Sequence, residues 1–268
     1  MHAMIQSGAL ALYRLGKQSG VLSTSLGRNI FERAYSLYKT MFEAPYIGEL
    51  QRLVRPGTTV VDVGAFIGFF SLRFANWVSG SGRVLALEPG PDNCARLKAK
   101  TERAGLTAVV DLVQAAAADV SGECRLAVNE VCPVDHKLSE QGISVMATTL
   151  DDLLQARGWP LVSLVKIDVQ GAEARVIAGA QRTIANFHPA LFVEVSDSTL
   201  KEFGSSAEEL LSSLVTAGYT IHRLEPNGIS KAVPIERALE WQASAGYIDL
   251  LFLSELSATR SLSIPQAA

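Results

Sequence analysis

From residue 58 onward, short apolar runs alternate with segments whose apolar residues recur every three or four positions. Seven runs have strand length and are rich in Val, Leu and Ile: TTVVDVG (58–64), GRVLALEP (82–89), AVVDLVQAA (108–116), LVSLVKIDVQG (161–171), PALFVEV (189–195), YTIHRL (219–224) and YIDLLFLS (247–254). Helical spacing marks GFFSLRFANWV (68–78), PDNCARLKAKTERAG (91–105), LDDLLQARG (150–158), the stretch from Ala172 to about Ala185, and residues 206–217. Strands that are apolar on both faces, separated by helices, predict a mostly parallel sheet with helices on both sides. The last two strands are joined by about 22 residues that read as irregular. That connection favours an antiparallel final strand.

The flanking segments read differently. Residues 28 to 54 have amphipathic helical spacing, broken at Pro45 and stopped by Pro56-Gly57, so 1–55 is expected to be an N-terminal helical extension or lid. The α/β domain is expected over 56–256. Within it, 121–148 is polar and turn-rich with two short β-like pieces, CRLAVNE and ISVMATTL, and reads as an inserted segment over the sheet edge. Residues 257–268 read as a tail.

Composition narrows the function classes. Hydrophobic residues make up 48% and charged residues 19%, which suits a packed core and argues against global disorder. The net charge of −3 and the lack of a basic cluster argue against nucleic acid as the partner. Cys94, Cys124 and Cys132 form no C-x-x-C pair and read as reduced thiols. No apolar stretch approaches a membrane span or the apolar run of a signal peptide, so a cytoplasmic location is expected.

Chemistry concentrates at strand ends. Asp62, Gly64, Ala65, Phe66 and Gly68 form a strand-to-helix turn of the pattern D-V-G-A-F-I-G. It is not G-x-G-x-x-G, because Phe66 stands where a pyrophosphate wants a bare glycine. A ligand without phosphate fits better, and Asp62 would suit a cationic amino group. Glu88 closes the second strand, where an acid can accept hydrogen bonds from ribose hydroxyls. Asp168, at the end of the fourth long strand, faces the same crevice, with Glu194 at the next strand end and Lys166 toward the rim. Glu173 reads equally well as part of this acidic group or as a helix N-terminal residue favoured by the dipole.

These residues together resemble the FkbM family of methyltransferases. The resemblance is carried by VDVGAFIGFFSL, LEPGPDN (87–93), TLDDLL (149–154), KIDVQGAEARVIAGA (166–180) and FVEV (192–195). It implies a Rossmann-like class I fold, S-adenosylmethionine as cofactor, and O-methylation of a hydroxyl on a sugar, glycoconjugate or other natural product. The implied cofactor residues are Asp62, Gly64, Ala65, Phe66, Gly68, Glu88, Asn93 and Asp168, with Glu43 reaching the crevice from before Pro45. Asp168 and His136 are the candidate bases and Glu194 the orienting acid. His136 lies in VDHKL (134–138), similar to an Asp-His-Arg stretch in relatives linked to carbohydrate genes. An unperturbed imidazole titrates where it can take a hydroxyl proton. No metal ion is expected, since the family usually has Glu where Gln170 stands, and its loss removes a charge beside Asp168. The family also usually has Asn where Phe66 stands. Two other readings remain open at this point: a nicotinamide-dependent oxidoreductase, and a methyltransferase-like binding subunit that has lost catalysis. The partner is expected to be a small molecule or carbohydrate, and a homo-oligomer is left open.

Overall fold

A computed structural model of the chain describes residues 44–127, 142–225 and 228–255, with the backbone alone of 137–138. Most of the expected N-terminal extension, and with it Glu43, lies outside the described residues, as do His136, Cys132 and the expected tail.

The first described helix, α1 (Ala44–Gln51), carries Pro45 at its second position, where the missing N–H is harmless. Next come β1 (Thr59–Val63), α2 (Phe69–Trp77), β2 (Arg83–Leu87), α3 (Pro91–Arg103) and β3 (Val110–Val113). A second group follows, with β4 (Ala116–Ala117), β5 (Gly122–Ala127), β6 (Lys137–Leu138), β7 (Ile143–Thr148) and α4 (Leu150–Gln155). The alternation resumes with β8 (Val162–Ile167), α5 (Glu173–Ala178), α6 (Gln181–Phe187), β9 (Ala190–Val195), α7 (Asp197–Glu202), α8 (Ala207–Thr216) and β10 (Tyr219–His222). The chain then forms β11 (Leu224–Glu225), β12 (Gly228–Ile229), α9 (Ile235–Ala245) and β13 (Ile248–Ser254).

The main sheet has the order β10-β13-β9-β8-β1-β2-β3. All its pairings are parallel except those of β13, which runs antiparallel to both β9 and β10. This is the expected fold: seven strands, mostly parallel, last strand reversed. Alternate residues along each strand enter opposite cores. Val61, Val63, Val165, Ile167, Leu191, Val193 and Phe252 pack with α4, α5, α6 and α8. Val60, Val84, Leu164, Ala190, Phe192 and Leu251 pack with α1, α2 and Leu97 of α3.

Three expectations change in detail. The connection from 225 to 247 is not irregular, since it holds the β11–β12 hairpin and α9. The helix expected from Ala172 to Ala185 is two helices, divided at Gly179, where an added Cβ would collide with the Ala118 carbonyl. The segment 121–148 pairs β5 with β7 and joins β4 and β6 in a separate four-stranded sheet rather than only covering an edge.

Candidate active site

At the carboxyl edge of the main sheet, the face that holds Val60, Leu164, Phe192 and Leu251 changes character. By the period-two alternation the same face continues into Asp62, Glu88, Lys166, Glu194 and Asp249. Apolar residues fill the covered part of that face. Ionisable ones take its carboxyl end, where Asp62, Glu88 and Lys166 are buried and Glu194 and Asp249 are partly exposed.

The turn after β1 is held to both neighbours. Gly64 and Ala65 donate to the Leu87 carbonyl at 3.1 and 2.9 Å, and the Asp168 amide donates to the Val63 carbonyl at 3.1 Å. Gly64 has φ +77°, and a Cβ there would run into the Asp168 carbonyl. Its glycine character therefore serves contact between the two strand ends as well as approach by a ligand. Gly68, φ +87°, is needed because a Cβ would strike Leu97. Phe66 adopts φ +50°, a left-handed conformation that a bulky side chain rarely takes. Its amide donates to Glu88 Oε2 at 2.9 Å. The Ala65 side chain is buried in the core on this face of the sheet.

Glu88 is 4% exposed. Its Oε1 accepts from the Gly90 amide at 2.9 Å and from Asn93 Nδ2 at 3.2 Å. Oε2 accepts from Phe66, which leaves that oxygen a second lone pair for a ligand hydroxyl. Burial pushes the Glu88 carboxyl above its ordinary value, and the three donors and Lys166 pull it back in part. Asn93, expected on the cofactor, thus aims Glu88.

Asp62 is fully buried. Its Oδ2 accepts from Ser71 Oγ at 2.6 Å, while Oδ1 has no hydrogen-bond partner among the described residues. Burial holds this carboxyl above its usual range, with Lys166 and Ser71 opposing. Lys166 is not on the rim, as its alternation with Asp168 suggested. It is 4% exposed, because the same face is covered by α2, and its Nζ lies 4.9 Å from the centre of the Phe70 ring. The ammonium donates to the Gly64 carbonyl at 3.2 Å and stands 3.6 Å from Asp62 Oδ1 and 3.4 Å from Asp168 Oδ2.

Asp168 and Glu194 are both partly exposed and are bridged by Gln170, whose Nε2 lies 3.3 Å from Asp168 Oδ1 and 3.4 Å from Glu194 Oε1. The family's usual Glu could not donate in this way while ionised. Glu173 is buried and its Oε1 accepts from the Val169 and Gly171 amides at 3.1 Å each, so it closes the turn after β8, while Oε2 has no hydrogen-bond partner among the described residues. Burial raises its carboxyl too. The structure therefore brings together Asp62, Gly64, Phe66, Gly68, Glu88, Asn93, Asp168 and Glu194. It also adds Asp249, which sequence reasoning missed, and gives Gln170, read from the sequence only as a lost charge beside Asp168, a bridging role. Asp249 pairs directly with Glu194 only because β13 is reversed, a relation without a local signal. Among the described residues no group of three or more His, Cys, Asp or Glu could hold a metal ion. No helix among them is long and apolar enough to cross a membrane.

A doubly wound sheet with one reversed strand, and a glycine turn beside an acid at its carboxyl edge, defines a Rossmann-like fold of the methyltransferase type. The chain belongs to the FkbM methyltransferase family, whose domain model, "Methyltransferase FkbM domain", matches residues 62–221. It is 31% identical over 162 residues to 31-O-demethyl-FK506 methyltransferase FkbM of Streptomyces tacrolimicus, covering 48% of this chain and 61% of that protein. It is 26% identical over 170 residues to 2-O-methyltransferase NoeI of Sinorhizobium fredii, covering 56% and 68%. With hexuronic acid methyltransferase AglP of Haloferax volcanii the identity is 32% over 123 residues, covering 44% and 48%. The chain thus matches less than two thirds of the length of the first and third of these relatives.

Proposed function

We propose that the protein is an S-adenosylmethionine-dependent O-methyltransferase acting on a hydroxyl of a sugar, glycoconjugate or other natural product. The observation that carries this reading is Glu88, buried and aimed by Phe66 and Asn93 beside the 64–68 turn. The residues fit the cofactor. Glu88 Oε2 would take a ribose hydroxyl, and the hydrogen-bond capacity left on Asp62 Oδ1 suits the amino-acid end or its bound water. A dinucleotide fits less well, because Phe66 fills the turn and Asp62 would repel a pyrophosphate. The names of two relatives support the class of acceptor, one specifying a 2-O position and the other a hexuronic acid.

When bound, S-adenosylmethionine supplies an electrophilic methyl group with a good leaving group already in place. The protein's share is alignment and exclusion of water, and a well-oriented encounter can contribute about 7–11 kcal/mol. Asp168 would take the acceptor's proton, with His136 the second candidate, and Glu194 would orient the hydroxyl. Gln170 supports this assignment by holding both carboxylates at once. Glu43 would approach the donor from the segment before α1. A cytoplasmic location, a carbohydrate or small-molecule partner and action without a metal belong to the same reading.

The test is transfer of a tritiated methyl group from S-adenosylmethionine to a panel of neutral sugars, uronic acids and hydroxylated polyketides. Label in at least one hydroxyl acceptor, lost in the Asp168→Asn variant, is the expected result. Donor binding without transfer to any acceptor would favour a lapsed binding subunit.

A further inference from the structure

The turn that would receive the donor and the carboxylate that would act on the acceptor belong to different strands, and a single buried ammonium touches both. Lys166 donates to the carbonyl of Gly64, the first residue of the turn, at 3.2 Å. The same Nζ is 3.4 Å from Asp168 Oδ2 and 3.6 Å from Asp62 Oδ1. Gly64 in turn sits so close to the Asp168 carbonyl that no side chain fits between them. A buried lysine is costly to desolvate, and well-packed apolar residues often replace buried ion pairs with no loss of stability. Packing against Phe70 would be served as well by methionine. What methionine could not do is fix Gly64, Asp62 and Asp168 relative to one another.

We propose that Lys166 is a positioning residue that couples the donor turn to Asp168, and so sets where the amino-acid end of the donor lies. The inference rests on the donor assignment made above. Glu88 governs the ribose from the far side of the turn, so the two halves of the ligand depend on different residues. Lys166 bears mainly on the amino-acid half, since its contacts are with Gly64, Asp62 and Asp168 and its charge is the last of the influences on Glu88.

Two probes separate these halves. S-Adenosylhomocysteine carries the amino-acid end, while 5′-deoxy-5′-methylthioadenosine has the same adenosine and thioether without it. Calorimetric titration of both into wild type, Lys166→Met and Lys166→Arg is the experiment. The expected pattern for K166M is at least about a tenfold loss for S-adenosylhomocysteine with the methylthioadenosine affinity within about twofold of wild type. K166R, which retains a cation, should recover most of that loss. Should K166M not fold, Lys166→Gln removes the charge in a polar side chain and should give the same pattern. Equal losses for both ligands, or no loss for either in a folded variant, would overturn the proposal. Failure of the wild type to bind either ligand would instead overturn the donor assignment.

Discussion

Phe66 holds φ +50° in the middle of the turn, and its amide is committed to Glu88. Backbone strain of this kind amounts to about 1–3 kcal/mol and is retained where the surroundings require the conformation. Asn tolerates the left-handed region far better than Phe. Phe66→Asn is therefore expected to raise stability by about 1 kcal/mol in urea denaturation, and an unchanged midpoint would show that the ring's packing compensates for the strain. At Glu88 the expectation is opposite in kind. Glu88→Ala should weaken S-adenosylhomocysteine at least about tenfold, roughly 1.4 kcal/mol, and should weaken methylthioadenosine equally because both carry the ribose. An effect on only one of them would separate Glu88 from the ribose. The identity of these residues was legible from spacing alone, since strand ends and glycine turns announce themselves in sequence. Their partners were less so. Asn93 and Lys166 face inward because of what α2 and α3 cover, and no local pattern encodes which neighbour covers a given strand position.

At the scale of elements, TLDDLL is a motif whose purpose only the packing reveals. Thr149 caps α4 by accepting from the Asp152 amide at 2.9 Å. Asp151 reaches across to α6, with Oδ1 accepting from the Thr183 amide and hydroxyl at 2.8 and 2.7 Å and Oδ2 from the Arg182 amide at 2.9 Å. One helix thus supplies the N-terminal cap of another. Asp151→Ala leaves those donors without their acceptor and should lower stability by about 1–3 kcal/mol, with S-adenosylhomocysteine affinity of the folded protein unchanged by calorimetry. A matching loss of affinity would mean that α6 transmits to the site. The order and type of the long elements followed from hydrophobic periodicity, whereas the reversed last strand was expected from an irregular connection that in fact holds a hairpin and α9. The β11–β12 hairpin and α9 did not follow from periodicity, because LEPNGISKAVP (224–234) offers two-residue strands and the apolar stripe of α9 is interrupted by polar positions.

Across the whole molecule, three buried carboxyls share one direction of shift. Burial holds Asp62, Glu88 and Glu173 above their ordinary values, so in each case the folded state binds protons more readily than the unfolded chain. Stability from such groups is fully present below the unfolded pKa and is lost as pH rises through the folded one. Asp152 and Asp197 are shifted down, by Ser121 and Lys201 first, and their contribution is lost only as pH falls through their folded values. Exposed pairs of that kind contribute little. The unliganded protein should therefore lose stability as pH rises through the folded values of these three carboxyls, as judged by urea midpoints, and the loss should shrink in Glu88→Gln. A midpoint that rises steadily with pH would contradict this direction of shift.

Asp62, Phe66, Glu88, Lys166 and Asp168 meet at one edge of the sheet, and the central proposal is that this edge holds S-adenosylmethionine. Its most direct test is a crystal structure with S-adenosylhomocysteine bound. A ribose hydroxyl is expected within hydrogen-bonding distance of Glu88 Oε2, with the sulfur directed at the space between Asp168 and Glu194. A ligand seated elsewhere, or ribose hydroxyls that leave Glu88 untouched, would contradict the account.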